Sequence, residues 1–209
     1  MEAHPDGPGS QRPGGRTSRI RDAAVSAVLA ELVEHGYRGL SVEGVALRSG
    51  VHKTTLYRRW GCVNALLVEA AGAAMDEAVP IPDTGTLRGD LAELAMLIGE
   101  NLRRPVTQAL VRLVAAEGDR QPWLAQASAR FWLHRSQLTQ VVVDRAVRRA
   151  ELPVGTDSRD LLETLIAPLY LRLLVTGRPL DNAVTHAAAE AAACAAGNRL
   201  LAPATAVGP

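Results

Sequence analysis

The sequence predicts an all-α protein of about nine helices, arranged as a small N-terminal group of three and a larger C-terminal bundle. Alanine makes up about one residue in six, and helix-favouring residues dominate the composition. Apolar residues recur at spacings of three and four, whereas no segment shows the alternation that marks a half-buried strand. A chain of 209 residues can also bury a substantial core without metal ions or disulfides.

The N-terminal segment predicts an arm followed by a helix. Residues 1–17 are rich in Pro, Gly, Ser and Arg and offer almost nothing for a core to bury, which predicts a disordered arm. From about Arg19 to His35, apolar residues recur on one face, as in an amphipathic helix. Gly36 is suited to end this helix, because glycine readily takes the left-handed conformation found at helix C-termini.

Two short helices with a glycine-containing turn between them are predicted next. Ser41 is a preferred N-cap residue, and the apolar residues after it give a buried face over about two turns. Ser49 and Gly50 end this helix, and a second one runs from about His52 to Trp60. This spacing is typical of a helix-turn-helix, although the periodicity alone fits any small helical hairpin equally well.

The residues of this region carry a more specific signal than their periodicity. The stretch HGYRGLSVEGVALRSGVHKTTLYRRW resembles the DNA-binding domain of the TetR (tetracycline repressor) family of bacterial transcription regulators. The matching residues are Gly36-Tyr37, Ser41, Val45-Ala46, Gly50-Val51, Lys53, Thr55-Leu56-Tyr57-Arg58 and Trp60. The YRRW ending is similar to one branch of the family. The resemblance implies a helix-turn-helix DNA-binding domain at residues 18–77 and a helical ligand-binding and dimerisation domain at residues 78–209.

The resemblance also implies which residues contact DNA. The helix from His52 to Trp60 would be the recognition helix, which enters the major groove with its N-terminal residues facing the base edges. Leu56 and Trp60 are expected to point inward and hold this helix on its neighbours. The implied DNA-contacting residues are Ser41, His52, Lys53, Thr54, Thr55, Tyr57 and Arg58.

The sequence departs from the family pattern at four positions. Cys62 and Val63 stand where relatives commonly have Ser and a phosphate-contacting Lys. Gly44 replaces a usual acidic residue, at a cost of about 1 kcal/mol in helix propensity relative to alanine. His52 stands where a small residue is common, which is expected to alter base preference. These departures predict weaker phosphate contacts.

The C-terminal part predicts six further helices joined by short loops. They lie at about residues 63–79, 86–103, 106–117, 121–150, 157–176 and 181–201. Short loops require neighbouring helices to pack side by side. Pro168 is expected to kink the helix that contains it, because proline removes one backbone hydrogen bond.

The last two of these helices predict a dimer interface. One carries wide apolar rows and the other small residues on nearly every face, which favours a four-helix interface about a twofold axis. The alternative is that these faces are ordinary core of one protomer. The predicted interface residues are Leu161, Leu165, Leu169, Leu173, Ala187 and Ala191.

The resemblance further implies a pocket for a small apolar effector in the middle of the C-terminal domain. The few large side chains there are the candidates to line it, with ordinary core packing as the alternative in a chain so poor in aromatic residues. The candidates are Met96, Trp123, Phe131, Trp132, His134 and Tyr170.

Charge and missing motifs exclude several classes of protein. Residues 1–64 carry nine basic and six acidic side chains, whereas the remainder is slightly acidic, which favours a polyanionic partner at the N-terminal end. No catalytic motif is present, the five histidines are dispersed, and Cys62 and Cys194 lie far apart. We therefore expect no enzyme activity, metal site or cofactor. No apolar run of spanning length or secretory signal is present, so we expect a cytoplasmic protein.

Together these observations predict a homodimeric DNA-binding transcription regulator. It is expected to be a repressor that binds a palindromic operator and is released by a small-molecule effector. The alternative is a helical ligand-binding or protein-interaction module that has lost specific DNA binding, which Gly44, Cys62 and Val63 would favour.

Overall fold

The computed structural model describes residues 14–76 and 79–201, and these residues form nine α-helices and no strand. The all-α prediction is confirmed. The helices are α1 (Gly14–Gly39), α2 (Val42–Ser49), α3 (Lys53–Trp60), α4 (Val63–Asp76), α5 (Leu87–Arg103), α6 (Pro105–Glu117), α7 (Pro122–Arg148), α8 (Ser158–Leu171) and α9 (Asn182–Gly197). None of these helices is long and apolar enough to cross a membrane.

The N-terminal unit ends at Ala70, inside α4. Its core is made by small and branched side chains from each of its four helices, including Val28, Val45, Leu56 and Leu67. Because the first half of α4 completes this core, the division falls a few residues before the predicted boundary at residue 77.

The first helix differs from its prediction at one end and matches it at the other. Helix α1 begins at Gly14, so the last four residues of the predicted arm are helical, and residues 1–13 lie outside the described part of the chain. At the other end, Gly36 has a φ of +66° and interrupts the helix. A residue with a Cβ would be strained in this conformation, which explains the glycine there.

The C-terminal unit packs α5, α7, α8 and α9 around one apolar core. Its helices α5 and α9 approach closely at Gly99, where an added Cβ would lie 2.6 Å from the Thr185 methyl group. A glycine at this position therefore lets the two helices meet. The buried carboxylate of Asp90 accepts hydrogen bonds from the Thr84 backbone (2.6 Å) and hydroxyl (2.8 Å), and Arg149 lies 3.4 Å from its other oxygen.

The burial of α8 corrects half of the predicted dimer interface. Leu161, Leu165 and Leu169 are 0% exposed within the single protomer, because the other helices of the C-terminal unit cover them. These three side chains are protomer core and are not available to a second copy. Leu173 is half-buried, whereas Ala187 and Ala191 are exposed on α9.

The end of α8 is irregular, but the irregular turn lies beyond Pro168. The helix runs through Pro168 to Leu171 and then widens into a π-helical turn, Arg172–Thr176. Gly177, with a φ of +64°, ends the turn. The turn leaves Leu171, Leu174 and Val175 exposed.

Candidate nucleic-acid interface

Helices α2 and α3 form the predicted helix-turn-helix. The Ser41 hydroxyl accepts a hydrogen bond from the Gly44 backbone N–H (3.1 Å) and caps α2. Such a cap stabilises a helix by about 1 kcal/mol. Gly50 follows α2 with a φ of +67° and turns the chain toward α3. At the other end of α2, the backbone of Ser41 is extended. The N–H groups in the first turn of a helix are suited to bind an anion.

Helix α3 separates an anchored side from an exposed side. Leu56 is 3% exposed and fixes the helix on the core of the N-terminal unit. The opposite side is open to solvent and carries the side chains that the family resemblance assigns to DNA. Exposed are His52, Lys53, Thr54, Tyr57, Arg58 and Arg59, with Thr55 half-buried.

His52 has a structural role that the sequence interpretation missed. It is the N-cap residue of α3, and its Nδ1 accepts a hydrogen bond from the Thr54 N–H (3.4 Å). The same nitrogen lies 2.7 Å from the Thr54 hydroxyl. Only the Nε2 edge of the imidazole is therefore left for a base or a phosphate.

The leading end of α3 carries an ion pair with α2. Lys53 Nζ lies 2.9 Å from Glu43 Oε1, and both side chains are about half exposed. The hydrogen bond from Lys53 lowers the pKa of the Glu43 carboxyl below its ordinary value. The one lysine of the chain is thus oriented across the helix-turn-helix before any DNA is bound.

A second polar cluster, unforeseen from the sequence, ties α1 to α2. Arg48 Nε donates to Glu31 Oε1 (2.7 Å), and the same guanidinium pairs with Glu34. These contacts raise the pKa of Arg48, chiefly through Glu34. His35 Nδ1 lies 3.3 Å from Glu31 as well. The guanidinium already supplies the positive charge that a metal ion would bring to these carboxylates.

This cluster explains the glycine inside α2. A Cβ at Gly44 would lie 2.4 Å from Glu31 Oε2. Glu31 is only 6% exposed and is held by Arg48, so its carboxylate has little freedom to move. The departure from the family pattern at this position therefore makes room for a buried carboxylate.

Comparison with known proteins agrees with this geometry. Residues 24–70 match the family described as bacterial regulatory proteins, tetR family, and residues 81–192 match the tetracyclin repressor-like C-terminal domain. The second match alone spans more than half of the chain. The chain belongs to the TetR family. It is a TetR-family DNA-binding transcription regulator, and the expectation that it is not an enzyme is confirmed by this membership.

Relatives align with the chain over most of their length. The HTH-type transcriptional regulator AqdR of Rhodococcus erythropolis is 30% identical over 85% of this chain and 86% of its own. The DNA-binding transcriptional repressor TetR of Mycobacteroides abscessus is 34% identical over 78% of this chain and 86% of its own. The crystal structure of the TetR-family regulator SCO0332 superposes with a TM-score of 0.64 at 28% identity, covering 88% of this chain and 97% of that one.

The predicted effector-pocket residues of this TetR-family chain do not all come together. Phe131 and Trp132 meet edge to face with 5.0 Å between ring centroids, and Trp132 and Tyr170 do so at 5.9 Å. Trp132 and Tyr170 also pack on the core of the C-terminal unit. By contrast, Met96 is 41% exposed and His134 is exposed.

Trp123 lies apart from this aromatic cluster. It stands in the first turn of α7, where its indole N–H donates to Gln121 Oε1 (3.2 Å). Eight residues of helix separate it from Phe131, a rise of about 12 Å. Three of the six predicted residues, Phe131, Trp132 and Tyr170, therefore form one cluster.

Tyr170 is expected to keep its proton to a higher pH than a solvent-exposed tyrosine does. Burial raises its pKa to about 12, against a smaller opposing effect of the Arg135 cation. An unfolded tyrosine ionises near pH 10. The unfolded state therefore loses this proton first, and Tyr170 makes the protein less stable as the pH rises from about 10 toward 12.

The Tyr170→Phe variant tests this assignment. We expect ultraviolet absorbance titration of the wild type to include a tyrosinate step near pH 12, and this step should be absent from the folded variant. The variant should also lose less stability than the wild type in that pH range. A step near pH 12 that persists unchanged in Tyr170→Phe would contradict its assignment to the buried Tyr170 side chain.

Proposed function

We propose that this chain is a homodimeric repressor that binds a palindromic operator and is released by a small-molecule effector. The observation that carries the proposal is the two-sided character of α3. One side is anchored by Leu56, and the other presents exposed cationic and hydrogen-bonding groups. A helix fixed in this way can enter the major groove while its inner side stays packed on the core.

The exposed residues fall into two groups by position. His52, Lys53 and Thr54 lie at the leading end of α3, where recognition helices meet base edges. Tyr57 and Arg58 follow one turn later and have the reach and chemistry for phosphates. The capped N-terminus of α2 at Ser41 adds backbone N–H groups for another phosphate.

Dimerisation is proposed through the exposed side of α8 and α9. Ala187 and Ala191 lie four apart on α9 and allow a facing helix to approach closely. Near the end of α8, Leu171 and Leu174 are 52% and 40% exposed, a cost that a partner would remove. TetR-family regulators typically act as dimers. A twofold axis would present two recognition helices to half-sites about 34 Å apart or at multiples of that distance.

Repression and effector release rest on different support. The Mycobacteroides abscessus relative is named a DNA-binding transcriptional repressor. Phe131, Trp132 and Tyr170 form a half-buried aromatic cluster in the C-terminal unit, and rings of this kind suit a small apolar effector. Effector binding would favour a dimer whose recognition helices no longer match the half-site spacing.

A gel-shift titration against the DNA upstream of the coding sequence tests the proposal. The full-length protein is titrated at two salt concentrations in excess random competitor DNA. We expect a sharp, competitor-resistant shift that weakens at the higher salt concentration. Binding equal to that of random DNA of the same length, for this fragment and for genomic fragments, would favour the module without specific DNA binding.

Lys53→Ala is expected to weaken operator binding and to flatten its salt dependence. If each Lys53 of the dimer contacts one phosphate, the slope of log K against log salt should fall by about 0.9 per contact. Glu43→Gln is the matched variant, because it releases Lys53 from its ion pair and leaves the cation in place. It should bind random DNA at least as tightly as the wild type. Equal salt slopes for Lys53→Ala and wild type would remove Lys53 from the interface.

A further inference from the structure

Glu69 on α4 joins three helices of the N-terminal unit through one carboxylate. Its Oε2 accepts a hydrogen bond from the Trp60 indole N–H (2.7 Å), and Trp60 is the last residue of α3. Its Oε1 accepts from Arg21 Nε of α1. Glu69 lies outside the helix-turn-helix and was not among the residues that the sequence pointed to.

The charge state of Glu69 fits this bridging position. Partial burial raises the pKa of its carboxyl, but the hydrogen bonds from Trp60 and Arg21 outweigh burial and the pKa is lowered overall. The carboxylate is therefore anionic at neutral pH. A hydrogen bond to an ionised acceptor is stronger than one between neutral groups.

Trp60 is held on its ring face as well as at its edge. The Arg59 guanidinium lies 5.0 Å from the centroid of the indole ring. With the face covered by a cation and the N–H directed to Glu69, the rotation of the ring is fixed. Since Trp60 ends an eight-residue helix, fixing its ring also fixes the C-terminal end of α3.

We propose that Glu69 is a positioning residue that sets the angle of the recognition helix, and through it the sequence specificity of DNA binding. This inference rests on the proposed function. Leu56 anchors the middle of α3, and the His52 cap orders its first turn. The Glu69–Trp60 hydrogen bond fixes the remaining, C-terminal end of the helix.

The orientation of α3 controls the sequence specificity of DNA binding more than its overall affinity for DNA. Base-edge hydrogen bonds require the helix to lie within about 0.5 Å and about 10–20° of one orientation. Attraction to phosphates is long-ranged and survives a tilt of the helix. Loss of the Glu69–Trp60 hydrogen bond should therefore weaken operator binding, while binding to random DNA stays the same.

Two variants remove this contact from opposite sides. Trp60→Phe keeps an aromatic ring but lacks the N–H donor, and Glu69→Ala removes the acceptor and leaves the indole intact. Glu93→Ala, at an exposed glutamate of α5, is the matched control. Affinities for an operator recovered by selection and for random duplex DNA are measured by fluorescence anisotropy, and urea unfolding is followed in parallel.

We expect the ratio of operator affinity to random-DNA affinity to fall about tenfold in Trp60→Phe and in Glu69→Ala, the scale of one hydrogen bond to a charged group. Glu93→Ala should keep the wild-type ratio. A purely structural defect would lower the folded fraction and reduce both affinities equally, which leaves the ratio unchanged. An unchanged ratio in both variants would overturn the inference.

An NMR measurement tests the same contact without DNA. The chain has three tryptophans and hence three indole N–H resonances in the full-length protein. The resonance missing from Trp60→Phe identifies Trp60, and we expect it to shift upfield in Glu69→Ala but not in Glu93→Ala. An unmoved resonance would contradict the hydrogen bond. If the wild type itself preferred no sequence, the proposed function would fail together with the inference, whereas unchanged ratios beside a specific wild type would reject the inference alone.

Discussion

Leu165→Ala is expected to lower the free energy of unfolding by about 2–5 kcal/mol, the range for truncating a buried leucine. Leu165 is 0% exposed in the single protomer and lies among the side chains of the C-terminal core. Truncation removes apolar contacts and leaves a cavity that rigid neighbouring helices fill only in part. Urea unfolding followed by circular dichroism measures the change.

The control for this prediction is the same substitution at an exposed leucine. Leu133 is 49% exposed on α7, so Leu133→Ala should stay within about 0.5 kcal/mol of the wild type. The comparison also separates core from interface. A loss at Leu165 that depended on protein concentration, or that matched the small change at Leu133, would reject the assignment of Leu165 to the protomer core.

Ala187→Glu is expected to produce monomers and to reduce operator affinity by about 10²–10⁴-fold, the advantage that two linked binding sites have over one. Ala187 is exposed on α9 and belongs to the proposed interface. In a twofold interface each substitution occurs twice, so the interface would bury two unpaired carboxylates. Sedimentation equilibrium gives the oligomeric state, and fluorescence anisotropy gives the affinity.

A matched substitution shows whether position or charge is responsible. Ala129 is an exposed alanine on α7, a helix that is not part of the proposed interface, and Ala129→Glu should leave mass and affinity unchanged. Residual binding by Ala187→Glu should resemble binding to random DNA. A dimer of wild-type affinity in Ala187→Glu would place the interface elsewhere.

The helices were largely predictable because their signals are local. Periodic apolar residues, the Ser41 cap and Gly36 marked elements that the structure places within a few residues of the predicted bounds. Periodicity shows that one face of a helix is apolar, but it does not show what covers that face. The apolar row through Leu165 therefore fits either a dimer interface or the protomer core on sequence alone, and helices of the same chain cover it.

The polar contacts of the candidate site could not be predicted from the sequence, because they join residues on different helices. Glu69 and Trp60 are nine residues apart and Glu31 and Arg48 seventeen apart, on different helices, so no helical spacing brings them together. The family resemblance predicted which side chains of α3 face DNA, but not the groups that orient the helix, such as Glu69. From the sequence, Gly44 is only a cost in helix propensity. The position of the Glu31 carboxylate explains why a glycine stands there.

Selection of bound sequences from a randomised duplex library shows whether α3 reads DNA sequence, and the operator does not have to be known in advance. The full-length wild type is compared with a variant in which Lys53, Tyr57 and Arg58 are all replaced by alanine. We expect the wild type to enrich an inverted repeat, with half-sites about one helical turn or a multiple of it apart, and the variant to enrich none. No enriched sequence with the wild type, or the same enriched sequence with both proteins, would contradict DNA reading by α3.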